Sequence, residues 1–218
     1  MTDHQLKNAF PAEIPSEKEV DDFFDAVTKG NLSGTRAFLD KYPSCINQPI
    51  INSAPPLIRA VIYKQIWIVH VLLSKGADAD AKDLSDWTPL IYAAREGQTE
   101  MIDLLLQNGA SIDMKIESSG MTALMFAVCE DRSDSVRLLL EKGATLDETD
   151  NNGKTALMRA KEGGKLKTAA LIGKWQEMQQ QRLSDGVAEL RAKELAAAQL
   201  EKLKSRRPPA SPFKKNKL

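Results

Sequence analysis

The chain repeats itself at a period of 33 to 34 residues, and this period constrains its fold more than any single motif. Four leucines, each opening a short apolar block, follow one another at intervals of 33, 34 and 33 residues: Leu57, Leu90, Leu124 and Leu157. Three glycines farther along keep the same spacing: Gly76, Gly109 and Gly143. A fixed period of this length indicates units that cannot bury their apolar faces alone and therefore stack on their neighbours.

Each repeat predicts two short helices joined by a tight turn. Thr88, Thr122 and Thr155 precede short apolar runs and can cap a first helix, and Pro89 takes the favoured first helical position. A glycine such as Gly97 then allows the turn between the helices. The second helix carries apolar residues at spacings of three and four and ends at a Gly-Ala pair, as in Ile102, Leu105 and Leu106 followed by Gly109-Ala110.

The repeated segments resemble the ankyrin repeat, whose signature is T-P-L-H-x-A. They read D-W-T-P-L-I-Y-A-A-R-E-G (86–97), G-M-T-A-L-M-F-A-V-C-E-D (120–131) and G-K-T-A-L-M-R-A-K-E-G-G (153–164), with a weaker copy at 54–61. The resemblance covers about residues 20–173. It implies an all-α ankyrin-repeat solenoid of helix-turn-helix units with β-turn fingers.

Three departures from the family pattern are visible. The signature His is absent, and its place is taken by Ile58, Ile91, Met125 and Met158. Lys64 and Asp131 stand where the glycine between the helices belongs, and Asp tolerates a left-handed backbone better than Lys does. The first full unit is therefore the one expected to deviate most. One extra residue near Ile116 lengthens a finger, which we expect to bulge.

The period also predicts the domain boundaries. We expect a loose leader at 1–18, a degenerate N-terminal cap at about 19–51, full repeats at about 52–82, 83–116, 117–149 and 150–173, a C-terminal helix at 174–205 and a basic disordered tail at 206–218. The cap lacks the Thr-Pro turn, and the last unit diverges at its end. Both features are typical of terminal units in a repeat array.

The segment from Lys174 to Ser205 is rich in Gln, Glu, Lys, Ala and Leu and predicts a helix, with a break near residues 184–186. Glu194 and Glu201 interrupt its heptads, which argues against a sustained coiled coil. The favoured interpretation is a helix that packs back on the last repeat. The alternative is an oligomerising or partner-binding helix.

The formal net charge of zero conceals a polarised chain. After Glu201 there are seven positive charges and no acidic residue, whereas residues 1–201 hold 23 basic and 30 acidic groups. The Lys202–Lys217 tail could bind nucleic acid or an acidic partner, or serve as a nuclear address. A solvated disordered end, kept open by three prolines, is the favoured interpretation.

Catalysis is not expected. The chain has two cysteines and two histidines, no Cys/His cluster that could hold zinc, and none of the common phosphate-binding or hydrolase motifs. His70 and Cys129 lie on different helices two units apart, so they cannot form a nucleophile-base pair. We therefore predict no enzyme, metal or cofactor, although a buried carboxylate or thiol site would favour a small enzyme instead.

The richest apolar stretch, Ile66–Leu73, is too short to span a bilayer, and no secretory signal is recognisable. We predict no membrane association, a cytoplasmic location and a monomer.

Solenoids of this kind use an extended concave surface for binding, so we predict a protein partner on the fingers and first helices and an adapter or scaffold role. Trp87 and Met121 are the expected apolar anchors, although Trp87 could instead pack on the next finger. The other expected contact residues are Leu84, Lys154, Ile62, Tyr63, Arg95, Glu96, Cys129 and Glu130. Tyr92 and Phe126 could also face the groove, although ordinary packing between repeats is the favoured interpretation. Arg59 and Arg159 are expected to flank the groove with positive charge.

Overall fold

A computed structural model describes residues 14–47 and 54–205, with side chains up to residue 201. All regular structure in these residues is helical, as predicted. One 3-10 helix, Pro43–Ile46, follows the second α-helix. The α-helices are α1 (Glu17–Lys29), α2 (Leu32–Lys41), α3 (Pro56–Ile62), α4 (Ile66–Ser74), α5 (Pro89–Glu96), α6 (Thr99–Gln107), α7 (Ala123–Cys129), α8 (Ser133–Glu141), α9 (Ala156–Glu162) and α10 (Leu166–Ser205).

The predicted threonine caps are confirmed. The hydroxyl of Thr88 accepts a hydrogen bond from the Ile91 amide at the start of α5, and Thr122 and Thr155 do the same for α7 and α9. Each threonine has an extended backbone, and Pro89 occupies the first turn of α5. These caps satisfy backbone donors that the helix itself leaves unpaired, which explains why such short helices begin where they do.

The turn between the two helices of a unit is left-handed in all four full repeats. Gly97 and Gly164 have φ values of 77° and 66°, and Lys64 and Asp131 adopt 58° and 54° at the same place. The expectation that Lys64 would make the first full unit deviate is therefore wrong at this turn. Lys64 takes the backbone conformation of the glycine that it replaces, at a steric cost of about 1–2 kcal/mol.

A long polar side chain beside three of these four turns reaches back to the preceding unit. Gln65, Gln98 and Arg132 stand directly before their second helices, where none of them caps its own helix. Instead, each donates a hydrogen bond to a carbonyl oxygen 37 residues earlier, at 2.9, 3.2 and 3.1 Å, on Thr28, Val61 and Arg95 respectively. The repeated spacing shows that these bonds fix the register between neighbouring units.

The core lies between the helices of neighbouring units. Leu57, Leu90 and Leu124 are each only 1% exposed. Ile58, Ile91 and Met125, which replace the signature His, are buried as well, but Met158 in the last unit is 51% exposed. Burying a side chain of this size contributes about 1.5–3 kcal/mol, so the first-helix apolar blocks account for much of the cohesion of the array.

The N-terminal cap uses an aromatic cluster instead of the repeat signature. Phe23 of α1 stacks on Phe38 of α2 with ring centroids 4.2 Å apart, and Phe38 contacts Tyr42 at 5.0 Å. The Tyr42 hydroxyl donates a 2.8 Å hydrogen bond to Glu19, which also accepts from Lys41. The predicted degenerate unit is thus a helix pair whose own aromatic residues close its end.

The fingers between units are tight turns, and one of them is longer, as predicted. In two fingers the closing hydrogen bond joins residues four apart, from Asp83 to Trp87 and from Asp150 to Lys154. In the third the amide of Ile116 bonds to the carbonyl of Met121, five residues away. The extra residue near Ile116 is therefore accommodated by a wider turn.

The C-terminal helix differs from the prediction. α10 is one unbroken helix of 40 residues from Leu166 to Ser205, so the expected start at 174 and the expected break near 184–186 are both wrong. Gly186 fits because one glycine costs a long helix only about 1 kcal/mol. The chain divides after Leu171 into two compact units. All side chains from 180 to 201 are exposed. No helix in the described part of the chain is long and apolar enough to cross a membrane.

Candidate protein-binding surface

The aromatic residues of the two central repeats form one cluster at the base of a finger. The ring of Trp87 lies 4.9 Å from that of Tyr92 in α5 and 4.6 Å from that of Phe126 in α7. Trp87 is half-buried. It therefore packs on the first helices of two units. Its contact with Phe126 joins neighbouring repeats, whereas Tyr92 belongs to the same repeat as Trp87.

A charged pair closes the outer side of this cluster. The guanidinium of Arg95 lies 5.3 Å from the centre of the Trp87 ring, in a cation-π arrangement. Its Nε is 3.7 Å from a carboxylate oxygen of Glu130, at the end of the next first helix. Both charged side chains are exposed. Arg95 and Glu130, which the sequence assigned to the surface separately, are thus brought together over Trp87.

Asp83 holds the finger against the same cluster. One carboxylate oxygen accepts hydrogen bonds from the amides of Ser85 and Trp87, at 2.8 and 3.0 Å. The other accepts a 2.7 Å hydrogen bond from the hydroxyl of Tyr92. Burial, the hydrogen bond to Asp83 and the negative charge of that carboxylate together raise the pKa of Tyr92 above its usual value. The phenol therefore stays protonated and keeps donating this bond.

Asp150 plays the same part in the last finger. Its side chain is fully buried, and it accepts hydrogen bonds from the amides of Asn152 and Lys154 at 2.7 and 3.0 Å. Arg159 ion-pairs with it, with Nε 2.6 Å from Oδ2. Burial alone raises the pKa of Asp150, but the hydrogen bonds from Lys154, Arg159 and Asn152 outweigh it, so the pKa lies below its usual value.

This arrangement corrects the expected role of Arg159 and bears on the enzyme alternative. The positive charge of Arg159 is neutralised by Asp150, so Arg159 does not add a free charge to the groove. The acceptor atoms of Asp150 are occupied by the finger and by Arg159, which makes it a structural carboxylate and not a proton donor. At the other end of the array, Arg59 lies over the ring of Phe24, 4.6 Å from its centre.

Met121 is not the exposed anchor that the sequence suggested. Only 8% of its surface is exposed, because the wider finger at residues 116–121 turns the side chain into the core. Its amide is held by the Ser119 hydroxyl at 3.3 Å, and its carbonyl closes the finger turn. An apolar ridge from Trp87 to Met121 therefore does not exist.

Most of the other expected contact residues are exposed. Leu84, at the tip of its finger, is 85% exposed, Tyr63 is 51% exposed and Ile62 is 40% exposed. Glu96 is exposed as well, and Cys129 is half-buried. Lys154 forms an ion pair with Glu162 at 2.6 Å. We call the set formed by Tyr63, Leu84, Trp87, Arg95 and Glu130 the finger face.

Sequence reasoning missed two kinds of residue. Asp83 and Asp150 organise their fingers, and the signal was available in the sequence. Each stands four residues before the residue that closes the finger and nine before a first-helix donor, Tyr92 or Arg159. Trp67 of α4 was also missed. It is 71% exposed although it lies in the richest apolar stretch of the sequence, Ile66–Leu73.

The basic tail cannot be placed. Residues 206–218 lie outside the described residues, as do the side chains of 202–205 and most of the expected leader at 1–18. The nucleic-acid and nuclear-address interpretations of Lys202–Lys217 therefore stay predictions from the sequence.

The sequence matches a known repeat family. A model described as ankyrin repeats (3 copies) matches three overlapping spans, residues 23–116, 57–150 and 113–181. The chain belongs to the ankyrin-repeat family. Ankyrin repeats are generally protein-protein interaction modules, so the repeats of this chain are of a type that binds other proteins.

Several curated proteins share the repeats. Ankyrin repeat and SAM domain-containing protein 6 of Rattus norvegicus is 31% identical over 103 residues, which is 47% of this chain and 12% of the relative. Glycerophosphocholine phosphodiesterase gde1 of Schizosaccharomyces pombe is 40% identical over 77 residues, 35% of this chain and 7% of the relative. A putative ankyrin repeat protein of Rickettsia bellii is 29% identical over 119 residues, 55% of this chain and 45% of the relative. The chain spans less than half the length of each of these relatives.

Proposed function

We propose that this chain is a non-catalytic adapter or scaffold that binds a protein partner through the finger face. The observation that carries the proposal is the Trp87 cluster. It joins a finger to the first helices of two units and presents the Arg95–Glu130 pair at the surface. A surface whose aromatic centre is held by Tyr92 and Phe126 loses little conformational entropy when a partner docks on it.

The exposed members of the finger face would make the contacts. Leu84 and Tyr63 leave large apolar surfaces in water, and covering such surfaces favours association. Arg95 and Glu130 carry opposite charges at an exposed rim, where they would set specificity and encounter rate more than affinity. The partner would therefore offer apolar side chains flanked by both signs of charge.

The test compares a variant of the finger face with a matched surface variant. Tyr63→Ala combined with Leu84→Ala removes exposed side chains only, so the fold is retained. Leu166→Ala is the control, because Leu166 is 79% exposed and lies outside the finger face. Trp87→Ala is unsuitable here because it would also disrupt packing between repeats.

The wild-type chain, the double variant and Leu166→Ala are each immobilised. The proteins that each of them captures are quantified by mass spectrometry. We expect a subset of captured proteins to fall at least fivefold with the double variant and to remain unchanged with Leu166→Ala. Equal recovery on all three would refute binding through the finger face.

Tethering through the basic tail is a second proposal that rests on charge alone. Seven positive charges that neutralise phosphates predict a slope of log K against log salt of about −6 for duplex DNA. Deleting residues 202–218 would remove that slope if the tail binds nucleic acid, whereas binding that survives the deletion would exclude it. The cytoplasmic location and the monomeric state also stay predictions.

A further inference from the structure

A groove lies between α4 and α6, the second helices of two neighbouring repeats. Its main cavity has a volume of about 470 Å3, and Ile66, Trp67, Glu100 and Leu104 are among the residues that line it. A second cavity of about 300 Å3 shares Ile66 and Glu100 and continues to the inter-helix turn at Gly97. The two cavities therefore form one groove with Glu100 at its centre. None of these residues belongs to the finger face.

Trp67 is the most unusual residue of this groove. It is 71% exposed, although Ile68 and Val69 beside it are buried in the core. Within the described residues its indole has no ring contact, side-chain hydrogen bond or cation partner. It is the second residue of α4 (Ile66–Ser74), so the first turn of that helix supports the ring. Exposed tryptophan on a rigid support is typical of binding sites, because its large ring gains much contact area at a low entropic cost.

Lys64 lines only the second cavity, whereas Glu100 lines both and brings a negative charge to the main one, which Trp67 also lines. Glu100 is exposed and has no ion-pair partner among residues 14–47 and 54–201. The other carboxylate of the groove, Asp103, already pairs with Lys142 and accepts a 2.6 Å hydrogen bond from Gln107. The main cavity thus combines apolar side chains, an exposed indole, the imidazole of His70 and one carboxylate without an ion pair.

The finger face holds a tryptophan and a carboxylate together with a cation of this chain. There the guanidinium of Arg95 lies over the Trp87 ring at 5.3 Å and reaches Glu130 at 3.7 Å. Trp67 and Glu100 repeat the tryptophan and the carboxylate of that arrangement but lack the arginine. A guanidinium suits the vacant position, because it stacks on aromatic rings and also hydrogen-bonds to carboxylates.

We infer that the α4–α6 groove binds an arginine-bearing polypeptide segment of a partner protein. The arginine stacks on Trp67 and pairs with Glu100, and a neighbouring apolar side chain covers Ile66 and Leu104. A helix of nine residues such as α4 is about 13 Å long, so the groove accommodates about four residues of an extended peptide.

The experiment selects ligands without assuming a sequence. A random 12-residue peptide library displayed on phage is panned on the full chain and, in parallel, on Trp67→Ala and Glu100→Gln. Leu166→Ala and Glu141→Gln are matched controls, because they remove an exposed apolar side chain and an exposed carboxylate outside the groove. Tyr63→Ala with Leu84→Ala reports peptides that bind the finger face instead.

We expect peptides retained by the wild type and by both controls, but lost on the two groove variants, to be enriched in arginine beside an apolar residue. Binding of one such synthetic peptide, measured by fluorescence anisotropy, should weaken about tenfold with Trp67→Ala. Replacing its arginine by citrulline, which has a similar shape and no charge, should weaken binding about as much. Peptides that bind all variants equally, selected peptides without arginine, or no selection at all would overturn the inference. None of these results depends on whether the finger face binds a partner.

Discussion

The hydroxyl of Tyr92 donates a 2.7 Å hydrogen bond to the carboxylate of Asp83, nine residues earlier in the chain. Arg159 bonds to Asp150 over the same interval of nine residues. In both cases the second oxygen of the carboxylate accepts backbone amides two and four residues farther on. One acidic side chain therefore folds the finger and ties it to the following first helix, with a neutral partner in one unit and a charged partner in the other.

We expect Asp150→Ala to lower the free energy of unfolding by about 3 kcal/mol, because it leaves Arg159 without its charge partner in a largely buried site. Asp83→Ala should cost less, about 1–2 kcal/mol, since the hydroxyl of Tyr92 is neutral. Urea denaturation of both variants measures the difference. Glu148→Ala is the control, because its exposed ion pair with Lys115 should contribute less than about 1 kcal/mol. Equal losses for the two aspartates would contradict the comparison.

A second prediction concerns alkaline stability. The raised pKa of Tyr92 in the folded chain means that its hydroxyl keeps its proton at pH values where the unfolded chain, with an ordinary phenol pKa of about 10, loses it. This contribution to stability is fully present below about pH 10 and is lost as the pH rises further. The wild type should therefore exceed Tyr92→Phe in its free energy of unfolding by a constant amount from about pH 7 to 9. This difference should shrink above about pH 10.

Unfolding by urea at a series of pH values measures this difference. Tyr63→Phe is the matched control, because the Tyr63 ring is 51% exposed and lies outside the Trp87 cluster. An advantage of the wild type over Tyr92→Phe that stays constant up to about pH 11 would count against the Asp83–Tyr92 hydrogen bond.

Much of this fold could be predicted from the sequence because the repeat makes the same local rules act several times. Residues close together in the chain determine the threonine caps, the Gly-Ala ends of the second helices and the longer finger at residues 116–121. The unbroken α10 could not be predicted in the same way. Ser184, Asp185 and Gly186 are weak helix formers, but their preferences are too small to stop a long helix.

The candidate surface was less predictable, because exposure depends on packing between units. Met121 and Trp87 occupy equivalent places in two fingers, yet the extra residue near Ile116 turns Met121 inward while Trp87 lies on Phe126 of the next unit. Trp67 is the opposite case, an apolar residue that the fold leaves exposed. It lies in an apolar stretch, but its side of α4 faces the groove. Hydrophobicity alone does not distinguish these cases.

The different settings of two tryptophans give a third prediction. Trp87→Ala removes ring contacts with Tyr92 and Phe126 and should lower the free energy of unfolding by about 2–3 kcal/mol, somewhat less than for a fully buried ring. Trp67→Ala should change it by less than about 0.5 kcal/mol, because the side chain is 71% exposed. Thermal or urea unfolding separates the two. A large loss with Trp67→Ala would show that its ring supports the fold.

The last prediction concerns the two residues that replace glycine between helices. Lys64 adopts a φ of 58°, and its exposed side chain has no described ion pair, so Lys64→Gly removes backbone strain. After the extra entropy of glycine in the unfolded chain is subtracted, we expect a gain of roughly 0.5–1 kcal/mol.

Asp131 has a φ of 54°, but its carboxylate accepts a hydrogen bond from the buried hydroxyl of Thr168. Asp131→Gly should therefore give no gain, because it removes this acceptor from Thr168. Chemical denaturation of the two variants tests both statements, and stabilisation of equal size would show that the bond to Thr168 contributes nothing.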